Sequence, residues 1–255
     1  MTSFRERLRK RETLLGTFFK TPSPALCEVL GQSGLDMVCL DAEHSPFDRR
    51  DIDACLLAFR SVNLPCIVRP PSASPENILN ALDCGASGVL IPHVITAKDA
   101  AAMVKAAHYG NGGRGFAGAS RAGVYGHKSM ADHLRDSAAS TAVIVQIEDA
   151  AALENVDEIA AVDGVDGLFI GRMDLTVSLG YDSPDHPAVV EAVRKVCNTA
   201  AKRGRAVGMY TPFTSECGMW IKEGASFFLL GSEHSFMLAG AQALRNEFTA
   251  AKGGV

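Results

Sequence analysis

The sequence has few features of a secreted or disulfide-rich protein. Its seven cysteines are dispersed, form no Cys-x-x-Cys pair and are odd in number. This usage is typical of reduced thiols in a cytosolic protein rather than of a disulfide framework or a zinc site. The first ten residues, MTSFRERLRK, are charged and contain no apolar stretch of the kind that forms a secretory signal. We therefore expect a cytoplasmic protein.

Long hydrophobic runs and clustered positive charge are also lacking. No uninterrupted apolar stretch approaches the roughly 18 residues that a membrane-spanning helix needs. The formal charge is -4, and the Lys and Arg residues are scattered rather than arranged in a stripe with aromatic residues. Neither nucleic acid nor a membrane is therefore an expected partner. Apolar residues, in contrast, make up 47% of the chain, which is enough to form a substantial core.

Short apolar runs alternate with helical patterns along the whole chain. The runs are continuously apolar, as in parallel strands that are buried on both faces. Eight strand–helix repeats predict a (β/α)8 TIM barrel that forms a single domain over residues 1–255. An open doubly wound sheet is the alternative. The predicted strands are 14–20, 37–40, 65–69, 88–94, 141–147, 167–171, 206–210 and 227–230. The predicted helices are 24–34, 49–62, one from 75, 97–109, 150–162, 187–203, 214–224 and 235–251.

One segment, at about 110–140, interrupts this alternation. It is rich in glycine, then polar, and it is longer than an ordinary connection between a helix and a strand. Loops of this length in compact domains are usually functional or disordered. We expect an insertion that reaches the active site or a neighbouring subunit. Its GGRGFAG stretch is only a weak nucleotide signal, because it does not clearly follow a strand and open a helix.

Four predicted strands end in an ionisable residue. The segments LDAEH, VRPP, VQIED and FIGRMDL supply His44, Arg69, Glu148 and Asp174. The C-terminal ends of barrel strands converge on one mouth, so these side chains are expected to meet there. A base, a cation and two carboxylates at one mouth are typical of a metal-assisted active site.

Glu148 and Asp174 are the candidate metal ligands. Two carboxylates with no cysteine nearby favour a hard divalent cation that is held by oxygen, such as Mg²⁺, Mn²⁺ or Co²⁺. The alternative is that Asp174 caps a following turn and that Glu148 is a solvated loop residue. The local sequence pattern does not decide between these interpretations.

His44, Arg69 and Lys20 are the other candidate catalytic residues. Asp41 and Glu43 are available to orient the imidazole of His44, which suits a general base, although a structural histidine is the alternative. Arg69 precedes two prolines that stiffen the backbone, and it can stabilise an oxyanion or bind a carboxylate, or simply pair with an acid. Lys20 ends the first strand, where a Schiff base with a keto acid is an alternative chemistry.

Together these segments resemble the HpcH/HpaI aldolase family of class II, metal-dependent pyruvate aldolases, which act on 4-hydroxy-2-oxo-heptanedioate and 2-keto-3-deoxy sugar acids. The resemblance covers nearly the whole chain. It rests on D-x-EH at 41–44, VRPP at 68–71, LDxGA at 82–86, QIED at 146–149 and VDGLFIG-x-x-DL-x-x-SLG at 165–180. It implies a phosphoenolpyruvate/pyruvate-type barrel in a homohexamer, a trimer of dimers whose subunits exchange their last helix.

The resemblance also implies roles for individual residues. Glu148 and Asp174 would hold the metal, supported by Gln146. Arg69 would face the 2-oxo oxygen and His44 would act as the base. Asp83 would reach His44 from the adjacent subunit. The substrate carboxylate would be held by backbone amides of the segment formed of Gly171, Arg172, Met173 and Asp174.

The reaction implied is reversible cleavage of a 4-hydroxy-2-oxo acid to pyruvate, or a related 2-oxo acid, and an aldehyde. The alternatives are an oxaloacetate-type decarboxylase, a CoA-thioester lyase and a non-catalytic keto-acid-binding barrel. The chain departs from the family pattern at Arg172, where proline is common, and at His93, where an apolar residue is usual. Arg172 is expected either to alter carboxylate binding or to reach a second acidic group of the substrate, which leaves the aldehyde partner open.

Overall fold

A closed barrel of eight parallel strands forms the centre of the computed structural model, which describes residues 2–253. Each strand pairs with the next in chain order, and β8 pairs with β1 through Leu14 and Phe227. The predicted TIM barrel is therefore confirmed, and the open sheet is wrong. The strands are β1 Leu14–Phe19, β2 Met37–Asp41, β3 Cys66–Arg69, β4 Gly88–Ile91, β5 Ala142–Ile147, β6 Gly167–Ile170, β7 Ala206–Thr211 and β8 Phe227–Ser232.

Twelve α-helices surround this barrel in the described residues. Among them, none is both long and apolar enough to cross a membrane. The predicted helix 150–162 is divided into two short helices at Asn155, and a seven-residue helix directly follows β6. The helices are α1 Phe4–Arg9, α2 Pro24–Gly31, α3 Arg49–Ser61, α4 Pro75–Asp83, α5 Ala97–Ala107, α6 Met130–Ser140, α7 Ala150–Glu154, α8 Val156–Ala161, α9 Arg172–Ser178, α10 Pro187–Arg203, α11 Thr214–Lys222 and α12 Glu233–Gly253.

The strands are continuously apolar because both of their faces are buried. Phe18 and Phe169 belong to the cluster that fills the barrel interior. Their neighbours Phe19 and Ile170 belong to a second cluster between the strands and the helices. Successive side chains of a strand point to opposite faces, so each strand contributes to both layers. The charged strand ends are left at the rim, where they can serve a site.

The N-terminal helix α1 closes the barrel at the end opposite the strand C-termini. Phe4 and Leu8, one helical turn apart, pack into the interior cluster. Arg5 lies between them in sequence and forms a buried ion pair at 2.9 Å with Asp166, the residue before β6. The sequence pattern does not predict this helix, because its six residues carry only two apolar side chains.

The inserted segment at 110–140 packs against the same end of the barrel. Arg114 bonds to Asp83, the last residue of α4, and Arg121 contacts Asp53 of α3 at 2.7 Å. The segment ends in the unpredicted helix α6, which leads into β5. Its intrachain contacts therefore lie away from the strand C-termini. Its contact with a neighbouring subunit stays a prediction.

Candidate active site

A cavity of about 320 Å³ opens at the C-terminal ends of the strands. Its size falls at the lower end of the ~300–1,000 Å³ that is usual for small-molecule sites. It brings together most of the side chains that the sequence analysis selected from separate strands. The lining residues are Phe18, Lys20, His44, Arg69, Gln146, Phe169, Gly171, Arg172, Met173, Asp174, Tyr210, Gly231, Ser232 and Ser235.

Arg69 is the most firmly held cation in this cavity. Its guanidinium, only 7% exposed, lies 2.9 Å from Asp41 and 3.2 Å from Glu43, and it stacks over the Phe18 ring at 4.7 Å. Burial opposes its charge, but the hydrogen bonds and charge of Asp41 outweigh burial and raise the pKa of Arg69. Burial likewise disfavours the charged form of Asp41, yet Arg69 lowers the pKa of that carboxyl. The guanidinium is therefore both ion-paired and fixed at the cavity wall.

His44 lies at the rim of the cavity with its side chain 58% exposed. Its backbone N–H donates to Asp41 at 3.2 Å. Its ring Nε2 is 3.8 Å from Glu43 Oε2, beyond hydrogen-bond distance. The expected carboxylate partner therefore does not bond to the imidazole within this chain, and the ring is open to a ligand.

Glu148 lies beneath the cavity and is 3% exposed. Its Oε1 accepts a hydrogen bond from the backbone N–H of His93 at 2.8 Å, and its Oε2 accepts one from the side-chain amide of Gln146. Burial raises the pKa of Glu148, and the hydrogen bond and charge of His93 offset this effect only in part. The interpretation of Glu148 as a solvated loop residue is wrong.

Gly171 allows the end of β6 to lie against Glu148. A Cβ atom at this position would lie 2.7 Å from Glu148 Cβ and 2.9 Å from Gln146 Nε2, closer than real Cβ contacts allow. Asp174 follows in the first turn of α9, exposed and directed into the cavity lining. Glu148 therefore lies against the start of the turn that carries Asp174.

Oxygen atoms dominate the potential ligands beside this turn. The Gln146 Oε1 atom is buried without a hydrogen-bond partner. The amide nitrogen of Gln146 bonds to the buried Glu148 carboxylate, and the exposed Asp174 carboxylate lines the same cavity as Gln146. Carboxylate and amide oxygens are the ligands that hard divalent cations prefer. The residues present at this turn fit such a cation.

His93 provides a second way to complete a cation site around Glu148. Potential ligand atoms of His93, Glu148 and Asp149 all lie within 4.8 Å of one another. The Nδ1 atom of His93 is 3.3 Å from Glu148 and 3.2 Å from Asp149. Burial lowers the pKa of this imidazole, but the hydrogen bond to Asp149 and the charge of Glu148 outweigh burial and raise it. The sequence marked His93 only as an unusual residue, and it assigned Asp149 no role.

A further part of the cavity wall is formed by β1, β7, β8 and the residues that follow them. Lys20 Nζ lies there, 3.5 Å from Asp41 Oδ2. Tyr210, Ser232 and Ser235 complete the wall with hydroxyl groups. This side of the cavity therefore presents one cation and several hydrogen-bonding groups to a ligand.

Arg172 and Met173 occupy different environments although they are adjacent. Met173 is exposed at the cavity, whereas the side chain of Arg172 is 5% exposed. The guanidinium of Arg172 bonds to Asp185 at 2.6 Å and to Glu216. Its charge is therefore already paired within the protein, although the residue contributes to the cavity lining.

Asp83 lies far from the cavity within one chain. It ends α4, just before β4 begins, and therefore lies at the opposite end of the barrel, where it is paired with Arg114. The predicted contact between Asp83 and His44 requires a second subunit, and it stays a prediction.

Comparison with known proteins links this geometry to one family. A sequence profile described as HpcH/HpaI aldolase/citrate lyase matches residues 14–239. A 5-keto-4-deoxy-D-glucarate aldolase of Salmonella arizonae is 33% identical over 247 residues, which span 96% of each chain. An HpcH/HpaI aldolase/citrate lyase family protein from Burkholderia cenocepacia J2315 superposes with a TM-score of 0.92 at 33% identity, covering 98% of this chain and 100% of its own. An HpcH/HpaI aldolase from Desulfitobacterium hafniense DCB-2 gives a TM-score of 0.89 at 25% identity, covering 96% of both chains.

Proposed function

This chain belongs to the HpcH/HpaI aldolase/citrate lyase family, and we propose that it is a metal-dependent aldolase, an aldehyde-lyase. It reversibly cleaves a 4-hydroxy-2-oxo acid to pyruvate, or a related 2-oxo acid, and an aldehyde. The observation that carries this proposal is the convergence of His44, Arg69, Gln146 and Asp174 on one cavity, with the Glu148 carboxylate buried beneath it.

Glu148 and Asp174 are the proposed ligands of a divalent cation, Mg²⁺, Mn²⁺ or Co²⁺. A buried carboxylate whose pKa is raised by burial becomes easier to ionise when a cation lies beside it. The partnerless Gln146 oxygen supports a ligand at the same place, either the cation or its bound water. When bound, the cation would act as a Lewis acid toward the carboxylate and keto oxygens of the 2-oxo acid.

His44 and Arg69 supply the remaining chemistry. Cleavage of the C3–C4 bond requires loss of the proton on the 4-hydroxyl group, and the bonding electrons move to the enolate of pyruvate. The open imidazole of His44 is placed to take that proton, a role worth roughly 10²–10⁴ in rate. Arg69 is held rigidly by Asp41 and Glu43, and its guanidinium stabilises the negative charge that develops on the keto oxygen. Removal of one such donor typically costs roughly 10²–10³ in rate.

The relatives suggest the class of substrate. The Salmonella arizonae relative is named for 5-keto-4-deoxy-D-glucarate, a sugar acid with a carboxylate at each end. The wall that contains Lys20, Tyr210 and Ser232 suits such a molecule, because it offers a cation and hydroxyl groups in the same cavity as Asp174. We therefore place the aldehyde fragment, with its carboxylate, against Lys20.

Assembly into a homo-oligomer is part of the proposal. Residues 234–252 of α12 are exposed in the single chain, including Phe236, Leu238, Leu244 and Phe248. An apolar helix face of this size is rarely left in water. Val29 of α2 is also exposed, as are Met219 and Ile221 of α11. These two helices flank the position of the eighth barrel helix. Exchange of α12 between two subunits, within a hexamer built from such dimers, would cover these residues.

A substrate panel tests the reaction class. The enzyme with Mn²⁺ is incubated separately with 4-hydroxy-2-oxo acids, oxaloacetate and malyl-CoA, while pyruvate, aldehyde, CO₂ and acetyl-CoA are measured. We expect stoichiometric pyruvate and aldehyde from the hydroxy-oxo acids at a higher kcat/KM than any other reaction. A higher kcat/KM for CO₂ release from oxaloacetate, or for thioester cleavage, would replace the aldolase assignment by a decarboxylase or a CoA-thioester lyase.

A further inference from the structure

The Arg172 side chain connects three segments around the C-terminal ends of β6 and β7. Its Nη2 bonds to Asp185 at 2.6 Å, and its Nε and Nη2 each lie 3.3 Å from the carbonyl oxygen of Pro184. Its Nη1 bonds to Glu216 in the first turn of α11. The guanidinium also lies over the Trp220 ring at 5.6 Å. All three guanidinium nitrogens are therefore engaged by the protein.

The position of Arg172 in the backbone makes this network relevant to the site. Arg172 is the first residue of α9, and Asp174 lies two residues later in the same turn. The helix has only seven residues, so little of its own structure fixes that turn. A proline at the first position of a helix would restrict the backbone directly. Arginine does not restrict the backbone in this way, so the turn needs another source of rigidity.

We propose that Arg172 is a positioning residue that holds the first turn of α9, through Glu216 and Asp185, so that Asp174 keeps its place in the cavity lining. This inference rests on the proposed function, because it takes Glu148 and Asp174 as the metal ligands. It differs from the expectation that Arg172 reaches a second acidic group of the substrate. The guanidinium is 5% exposed, and four of its five N–H groups bond to Pro184, Asp185 and Glu216, so most of its donor capacity is already used within the protein.

Mutation of Glu216 tests this role more cleanly than mutation of Arg172, because Glu216 is partly exposed and lies outside the cavity lining. Glu216→Ala removes the anchor of Arg172 on α11, whereas Glu216→Gln retains a hydrogen-bond acceptor at the same place. Glu223→Ala is the matched control. Glu223 is the C-cap residue of α11 and pairs with Arg194 of α10 at 3.1 Å. Within residues 2–253 it forms no ion pair with α9.

The measurement is Mn²⁺ binding to EDTA-treated, metal-free enzyme by isothermal titration calorimetry, with circular dichroism as the check on folding. Partners that orient metal ligands typically contribute about 10–100-fold to metal affinity. We expect a loss in that range for Glu216→Ala, a smaller loss for Glu216→Gln, and none for Glu223→Ala. With saturating Mn²⁺, the kcat of Glu216→Ala should lie closer to the wild-type value than its Mn²⁺ affinity does.

Unchanged Mn²⁺ affinity in folded Glu216→Ala, or an equal loss in Glu223→Ala, would overturn the positioning role and leave the aldolase assignment intact. If the wild-type enzyme bound no Mn²⁺, the metal site of the proposed function would fail, and the role of Arg172 with it. Arg172→Met gives a second measurement, and it should weaken Mn²⁺ binding at least as much as Glu216→Ala.

Discussion

The imidazole of His44 is open to solvent at the rim of the cavity, with its side chain 58% exposed. Its nearest carboxylate, Glu43, is 3.8 Å away, so within one subunit no acid fixes its tautomer. This arrangement fits a base that moves a proton of the bound substrate. It also leaves room for Asp83 of an adjacent subunit to supply the missing partner.

His44→Ala should therefore slow bond cleavage without abolishing binding. We expect kcat to fall by roughly 10²–10⁴, while the Kd of pyruvate in the presence of Mn²⁺ changes less than about threefold, since affinity rests on Arg69 and the metal ligands. Single-turnover kinetics and calorimetry measure the two quantities separately. A variant with normal kcat and weakened pyruvate binding would remove His44 from the role of base.

Asp41 is the buried anion that holds Arg69, and Asp41→Asn should destabilise the fold. Breaking a buried ion pair by removal of one partner costs about 3–5 kcal/mol in the free energy of unfolding. The pKa of Asp41 is lowered in the folded state, so its stabilisation is present above the unfolded value near 3.8 and is lost as the pH falls through the lower folded pKa. Urea unfolding at pH 7 and below pH 3.8 should therefore show a large difference between variant and wild type that shrinks in acid. A difference that is constant with pH would contradict this assignment.

Lys20 should select substrates with a distal carboxylate. In Lys20→Met we expect the KM of a dicarboxylic 4-hydroxy-2-oxo acid to rise by about 10–100-fold, which corresponds to the ~1.5–3 kcal/mol of a hydrogen bond to a charged group. The KM of a monocarboxylic substrate of similar length is the control and should change little. Equal effects on both substrates would mean that Lys20 acts through Asp41 rather than on the substrate.

The strands were predictable from sequence, whereas several helices were not. A continuous apolar run such as that of β4 is informative because both faces of a barrel strand are buried. In contrast, α1 has two apolar side chains in six residues, and α6 lies in a polar segment whose pattern is weak. These two helices are defined by what they pack against, including the buried ion pair between Arg5 and Asp166.

The site was also predictable only in part, because contacts between distant segments orient some of its side chains. His44, Arg69 and Asp174 follow apolar strands, and barrel topology alone brings such positions together. The orientation of Arg172 depends on Asp185 and Glu216, 13 and 44 residues further along the chain, and no local pattern encodes it.

The exposed apolar face of α12 predicts that the molecule works as an oligomer. Leu244→Glu together with Phe248→Glu, one helical turn apart, places two charges on that face. We expect the wild type to sediment as a multiple of the chain mass and the double variant to dissociate. It should also lose activity, if Asp83 completes the site of a neighbouring subunit. Gln242→Glu, a change at a polar position of the same helix, is the control. A wild type that sediments as a monomer at micromolar concentration would contradict this prediction.

Carbon–carbon cleavage that depends on a divalent cation is the property on which the proposed function rests. It is tested by pyruvate release from a dicarboxylic 4-hydroxy-2-oxo acid after EDTA treatment, and again after addition of Mg²⁺, Mn²⁺ or Co²⁺. We predict that activity is lost with EDTA, returns with the cation in the wild type, and does not return in Glu148→Gln. Activity that survives EDTA and is trapped by borohydride would contradict this account and assign the chemistry to a lysine, with Lys20 the first candidate.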